Sequence, residues 1–149
     1  MRTIVRNFVG AILLALGTLS GALAQDDGRH YLALQISDND VQKMNTVLNV
    51  AVNVSQHYQE QGEEVEIRIV AFNAGLHMLR TDTSPVLARL TAFAQSMPNV
   101  SFAACGNTID AMAATEGAAP PISDHAERVP AGVAELMMLD ETGWTVIRP

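Results

Sequence analysis

The sequence predicts an α/β domain, a flavodoxin-like three-layer arrangement around a five-stranded, mostly parallel sheet. Two observations carry that expectation. Five short apolar or alternating runs are separated by four stretches of helical periodicity, in the order β-α-β-α-β-α-β-α-β, which implies a parallel sheet with helices on both faces. The run Val100-Ser101-Phe102-Ala103-Ala104-Cys105-Gly106-Asn107-Thr108 passes directly from a buried strand into the start of a helix, a junction that open parallel sheets place at their carboxyl edge, where ligands bind.

Composition agrees. The 149 residues suffice for one domain, and 48% hydrophobic with 17% charged residues fits a globular core. The formal net charge of −7 and the lack of basic patches exclude nucleic acid as an expected partner. Residues 1–24 read as a secretory signal. Arg2 and Arg6 form a positive start, Phe8 to Gly17 an apolar run, and Ala22-Leu23-Ala24 a cleavage site before Gln25. The apolar run is short for a membrane span, and no stop-transfer pattern follows. The expected mature domain is therefore 25–149, periplasmic and not membrane-bound. Removal of the two arginines takes its charge from −7 to −9.

The first strand is expected over His30–Ile36, apolar enough to be covered on both faces. Ser37-Asp38-Asn39-Asp40 offers four possible caps for a helix over Val41–Gln61. Val41, Met44, Val47, Leu48, Ala51, Val52 and Val54 give that helix a broad apolar face, and Gly62 ends it. Asn45, Asn49 and Asn53 stand at i, i+4 and i+8, either a solvated face or a polar seam against a loop or second subunit. The second strand, Val65–Phe72, alternates at its start, which suits an edge position. Asn73–Leu79 reads as a loop or short helical turn. A helix capped by Thr83 or Ser84, with Pro85 in its first turn, then runs to about Met97.

After the strand ending at Cys105, an alanine-rich helix is expected over Asn107–Glu116, followed by a mobile Pro/Gly loop at Gly117–Pro121. Ala126–Val129 reads as a short fourth strand. Pro130-Ala131-Gly132 opens a helix over Val133–Glu141, with Val133, Leu136, Met137 and Leu139 available for packing. Gly143 ends it, and Trp144–Ile147 forms the last strand. A flavodoxin-like strand order would set the ends of the first and third strands side by side. Cys105 would then lie next to Asp38, with Asn73, Gly75 and His77 approaching from the second strand.

Cys105 is the only cysteine. A lone thiol in an exported chain is buried, paired with another chain, or reactive. At a helix start it meets free N–H groups and the positive dipole end, which favour the thiolate. Gly106 would let a partner's backbone approach, and Asn107 and Thr108 would donate to a sulfur anion. His77 is the only nearby candidate cation, and an ionised Asp38 would oppose the thiolate. The scattered histidines and absent zinc spacing give no metal site, and the missing glycine fingerprint gives no dinucleotide cofactor.

The chain resembles the DsrE/DsrF-like family, in an exported form. The resemblance rests on Phe102-Ala103-Ala104-Cys105-Gly106-Asn107-Thr108, on Val47-Leu48-Asn49-Val50-Ala51-Val52-Asn53, on Val129-Pro130-Ala131-Gly132-Val133-Ala134-Glu135-Leu136, and on Gly143-Trp144-Thr145-Val146-Ile147. It implies a flavodoxin-like fold, assembly into trimers or hexamers, and sulfur handling. In the relay members the cysteine matching Cys105 carries a persulfide and passes its outer sulfur to a partner protein. The resemblance names neither sulfur donor nor acceptor. The other reading of the residues is an oligomeric small-ligand or redox-sensing module with a packed cysteine.

Overall fold

The computed structural model describes residues 28–149; the signal-peptide expectation lies outside them. The elements are β1 (Arg29–Ile36), α1 (Val41–Gln61), β2 (Glu64–Ala71), a 3-10 helix (Asn73–Leu79), α2 (Leu87–Ser96), β3 (Val100–Cys105), α3 (Gly106–Glu116), β4 (Ala126–Val129), α4 (Gly132–Glu141) and β5 (Thr145–Ile147). All five strands are parallel, in the order β4-β3-β2-β1-β5. No helix among the described residues is long and apolar enough to cross a membrane.

The expected flavodoxin-like three-layer α/β class is present, but the strand order does not set β1 beside β3. The chain steps from β1 through β4 in one direction, and only the last crossover returns, to place β5 beside β1. The three forward crossovers therefore share one face. Leu34, Ile67, Ile69 and Phe102 pack there against Met44 and Leu48 of α1, Leu90 of α2 and Ile109 of α3. The returning crossover lays α4 on the other face, where Leu136 and Leu139 meet Ala33, Val70, Ala103 and Val129. Side chains alternate across each strand, so the sheet is the middle of three layers.

One helix on the second face explains the misleading start of β2. Its polar residues do not mark an edge: β2 is central, between β1 and β3. Arg68 lies on the thinly covered face and is neutralised by Glu127 at 2.8 Å and Glu135 at 2.6 Å. The edge strands are instead the two shortest, β4 and β5, as suits exposed sheet edges. The same thin cover leaves Val133, Met137 and Met138 of α4 exposed, so only Leu136 and Leu139 of that helix join the core.

Helix α1 begins and ends where its caps require. The Asp40 carboxylate accepts from the N–H groups of Gln42 and Lys43, and Gly62 takes the left-handed conformation (φ 74°) that closes the last turn. The asparagine stripe divides. Arg89 of α2 donates to the side-chain oxygens of Asn45 at 2.7 Å and Asn49 at 2.6 Å, so these two form a seam between helices, while Asn53 is exposed.

Candidate functional site

Adjacent strands whose connections leave toward opposite faces open a crevice at the carboxyl edge of a parallel sheet. In this chain those strands are β3 and β4: α3 follows β3 onto one face, and α4 follows β4 onto the other. Cys105 pairs with Val129 across the end of this strand pair. Its thiol therefore sits where the N-termini of two helices converge.

The start of α4 donates to it directly. The Gly132 N–H, at the first turn of α4, donates to Cys105 Sγ at 3.1 Å. From α3, the Thr108 hydroxyl and the amides of Thr108 and Asn107 face the sulfur and favour its anion, without closing a cap bond to it. Thr108 is three residues beyond the capping position held by Cys105, the place from which a side chain reaches back to the start of its helix. The Thr108 hydroxyl is oriented in turn: the Asn73 N–H donates to its oxygen at 3.0 Å, leaving its proton for sulfur. Asn73 holds a left-handed backbone (φ 49°) at the end of β2, a conformation asparagine tolerates better than most residues.

Burial pushes the Cys105 thiol up, but the donors from Thr108, Gly132 and Asn107 outweigh it and hold the thiol below its ordinary range. Replacing Thr108 by valine is expected to raise the thiol pKa and to destabilise the fold by about 1 kcal/mol, because the Asn73 N–H loses its part-buried acceptor. Serine at 108 should restore both properties. Titration of the thiolate absorbance together with urea unfolding measures them.

The thiol opens on a cavity of about 500 Å3 whose lining includes Phe72, Asn73, Thr108, Met112, Glu116 and Val133. Among the described residues no lysine, arginine or histidine lines it. Among the described residues no group of three or more His, Cys, Asp or Glu side chains is placed to hold a metal ion.

Of the residues singled out from sequence, Cys105, Asn107, Thr108 and Asn73 meet at this cavity. Gly106 adjoins it, with a different task. A Cβ there would lie 2.9 Å from Val129 O and 3.1 Å from Pro130 O, so glycine serves the close approach of β4 within this chain, and the Asn107 N–H donates to Pro130 O across the same contact. Asp38 does not join them. β2 separates the end of β1 from Cys105, and the Asp38 carboxylate is held by Lys43 and Arg148, each at 2.9 Å. Those two partners keep its pKa below the usual range. The expected opposition between Asp38 and the thiolate is therefore removed. His77 is also absent from the cavity lining, and its Nδ1 is hydrogen-bonded to Thr83 Oγ1 at 2.8 Å. Gly75 packs against Ile36 rather than the thiol.

Sequence reasoning missed Gly132, Phe72, Met112 and Glu116. The signal for Gly132 was the helix opening at Pro130-Ala131-Gly132, legible as a helix start but not as a neighbour of Cys105 until β4 is known to lie beside β3.

No protein-family model matches the chain, and no curated protein matches it. Among solved structures it is similar to MTH1491, a protein of unknown function from Methanobacterium thermoautotrophicum. The two share 23% sequence identity with a TM-score of 0.69, over 80% of this chain and 99% of that one. At this identity the likeness supports the α/β fold alone.

Proposed function

We propose that the protein is an exported, periplasmic sulfur carrier of the DsrE/DsrF-like type. In this reading it holds a persulfide on Cys105 and hands the outer sulfur to a partner protein, as a homo-oligomer. The observation that carries the proposal is the convergence of two helix N-termini on one thiol, with the Gly132 N–H donating to its sulfur. A persulfide anion needs what a thiolate needs, fixed N–H and O–H donors and a positive local field. The cavity supplies room for the added sulfur and for an attacking thiol. Transfer is then thiol–persulfide exchange: the acceptor thiolate attacks the outer sulfur, the new S–S bond forms, and Cys105 leaves as the stabilised thiolate.

A second reading has its own observation. Cys105 is only 5% exposed, as suits a packed cysteine in a small-ligand or redox-sensing module. The two separate cleanly in solution. The alkylation rate of Cys105 against pH, with intact mass read after exposure to inorganic polysulfide, should titrate below the ordinary thiol value of about 8.5 and show one added sulfur per chain. A thiol silent until the protein is unfolded would sink the carrier reading in favour of the packed one.

A further inference from the structure

The cavity at Cys105 is a trough that follows α3. Thr108, Met112 and Glu116 stand at i, i+4 and i+8 along one helix face, and all three line it. At 1.5 Å per residue this wall is about 12 Å long. Ala111 and Thr115 continue the lining beside them, small side chains that keep the trough open.

Its two ends differ in sign. At the Cys105 end lie the N-termini of α3 and α4, the positive ends of both dipoles. At the far end lies the C-terminus of α3, the negative end of its dipole, with Glu116 in its last turn and no basic residue there. Glu116 is one of two carboxylates on a single guanidinium. Arg80 donates to it at 2.6 and 2.9 Å, and to Asp82 at 2.9 and 2.7 Å. Arg80, Asp82 and Glu116 together carry a formal charge of −1, with His77 near both carboxylates. Arg80 itself is buried, while the Glu116 side chain is 40% exposed. A carboxylate accepts at about four positions, and Arg80 occupies one on each oxygen of Glu116.

The geometry points to a low-molecular-weight, amine-bearing persulfide, R–S–SH, as the sulfur donor to Cys105, lying along α3 with its outer sulfur at the thiol and its ammonium at Glu116. This rests on the sulfur-carrier reading and names the donor class for that same site. The step balances without oxidant or reductant. The Cys105 thiolate attacks the outer sulfur, the Sγ–S bond forms, the donor's S–S bond breaks, and R–S⁻ leaves with that electron pair. The proton of the outer sulfur stays with the new persulfide or passes to water. A donor of tripeptide length spans about 10 Å, close to the length of the trough.

The test compares initial rates of Cys105 persulfidation, read by intact mass, for three donors: glutathione persulfide, its N-acetyl derivative and inorganic polysulfide. An ammonium paired with a partly exposed carboxylate is worth up to about fivefold. Glutathione persulfide is expected to load the protein about fivefold faster than the N-acetyl form. In Glu116→Gln the advantage of the free amine should vanish. Equal rates for the free and N-acetyl donors on the native chain would overturn the inference, whatever the fate of the variant, while polysulfide loading would leave the carrier reading standing. If polysulfide also fails to load Cys105, the carrier reading falls, and the inference falls with it.

Discussion

Replacing Gly75 by alanine is expected to destabilise the protein by about 3 kcal/mol or more, the upper range for overpacking a rigid site. A Cβ at Gly75 would lie 2.2 Å from Ile36 O, 2.5 Å from Ile36 C and 2.8 Å from Ser37 N. All three are backbone atoms, so no side chain can turn aside. Nor is the Ile36 carbonyl free to move, because it accepts from the Phe72 N–H at 3.1 Å. The 3-10 helix would have to lift off the end of β1. Asn73 begins that helix, so lifting it also disturbs the N–H that orients Thr108. The variant should therefore show two changes, a lower urea midpoint and a higher thiol pKa. Gly117→Ala is the control: Gly117 has a left-handed backbone (φ 81°) with nothing within 4 Å of the added atom, and should lose only the about 1–2 kcal/mol of left-handed strain. If Gly75→Ala is as mild as Gly117→Ala, the contact relaxes and the account of this packing is wrong.

The contrast between those two glycines shows what a sequence can and cannot display. Gly117 follows a helical stretch, and a glycine in that place reads as a terminator. Gly75 sits in a run of mixed residues, and its reason is the Ile36 carbonyl, distant in the chain. The same division holds for the whole fold. Helix α1 is legible in the sequence, because the cap cluster ending at Asp40, Gly62 and the 3.6-residue spacing of Met44, Val47, Leu48 and Ala51 are local signals, although only the structure selects Asp40 among the four caps. β3 was legible because Val100–Cys105 is apolar and bounded. Strand order was not. It depends on which face each crossover takes, and apolar helix stripes are equally content on either side of a sheet. The polar alternation of β2 suggests an edge because Arg68 and Glu66 look solvated. The structure places them on a face that one helix cannot fully cover.

That single topological choice also decided which parts of the site were visible. The thiol, Asn107 and Thr108 are consecutive with a strand-to-helix junction, so the sequence displays them together. Asp38 was attached to the site only through an assumed adjacency of β1 and β3, and is released when β2 is found between them. Gly132 was left out by the same assumption, since β4 rather than β1 is the neighbour that faces Cys105. Met137 and Val133 satisfy helical spacing for burial yet remain exposed. Periodicity reports a face of the helix, not whether the sheet beneath is wide enough to cover it.

Replacing Cys105 by serine is expected to abolish sulfur loading completely and to change how stability depends on pH. The first effect follows from the uniqueness of the thiol. The second follows from linkage. The folded protein holds the Cys105 thiol below its ordinary range, whereas the unfolded chain leaves it near about 8.5. An acid whose folded pKa is depressed binds fewer protons folded than unfolded between the two values, so its contribution to stability grows as pH rises through that window. It is fully present above the unfolded pKa and is lost as pH falls through the folded one. Native protein and Cys105→Ser should therefore differ least in acid and most in base. Urea unfolding of both at about pH 6 and about pH 10 measures the gap, with alkylation of the native thiol marking the folded pKa independently. A gap that stays constant across that range would mean that Gly132, Thr108 and Asn107 do not favour the thiolate over the thiol. The carrier reading would then lose its physical basis even if some sulfur can be forced onto Cys105. A gap that widens toward base, at the pH where alkylation also turns on, ties the stability of the fold and the reactivity of the thiol to the same donors.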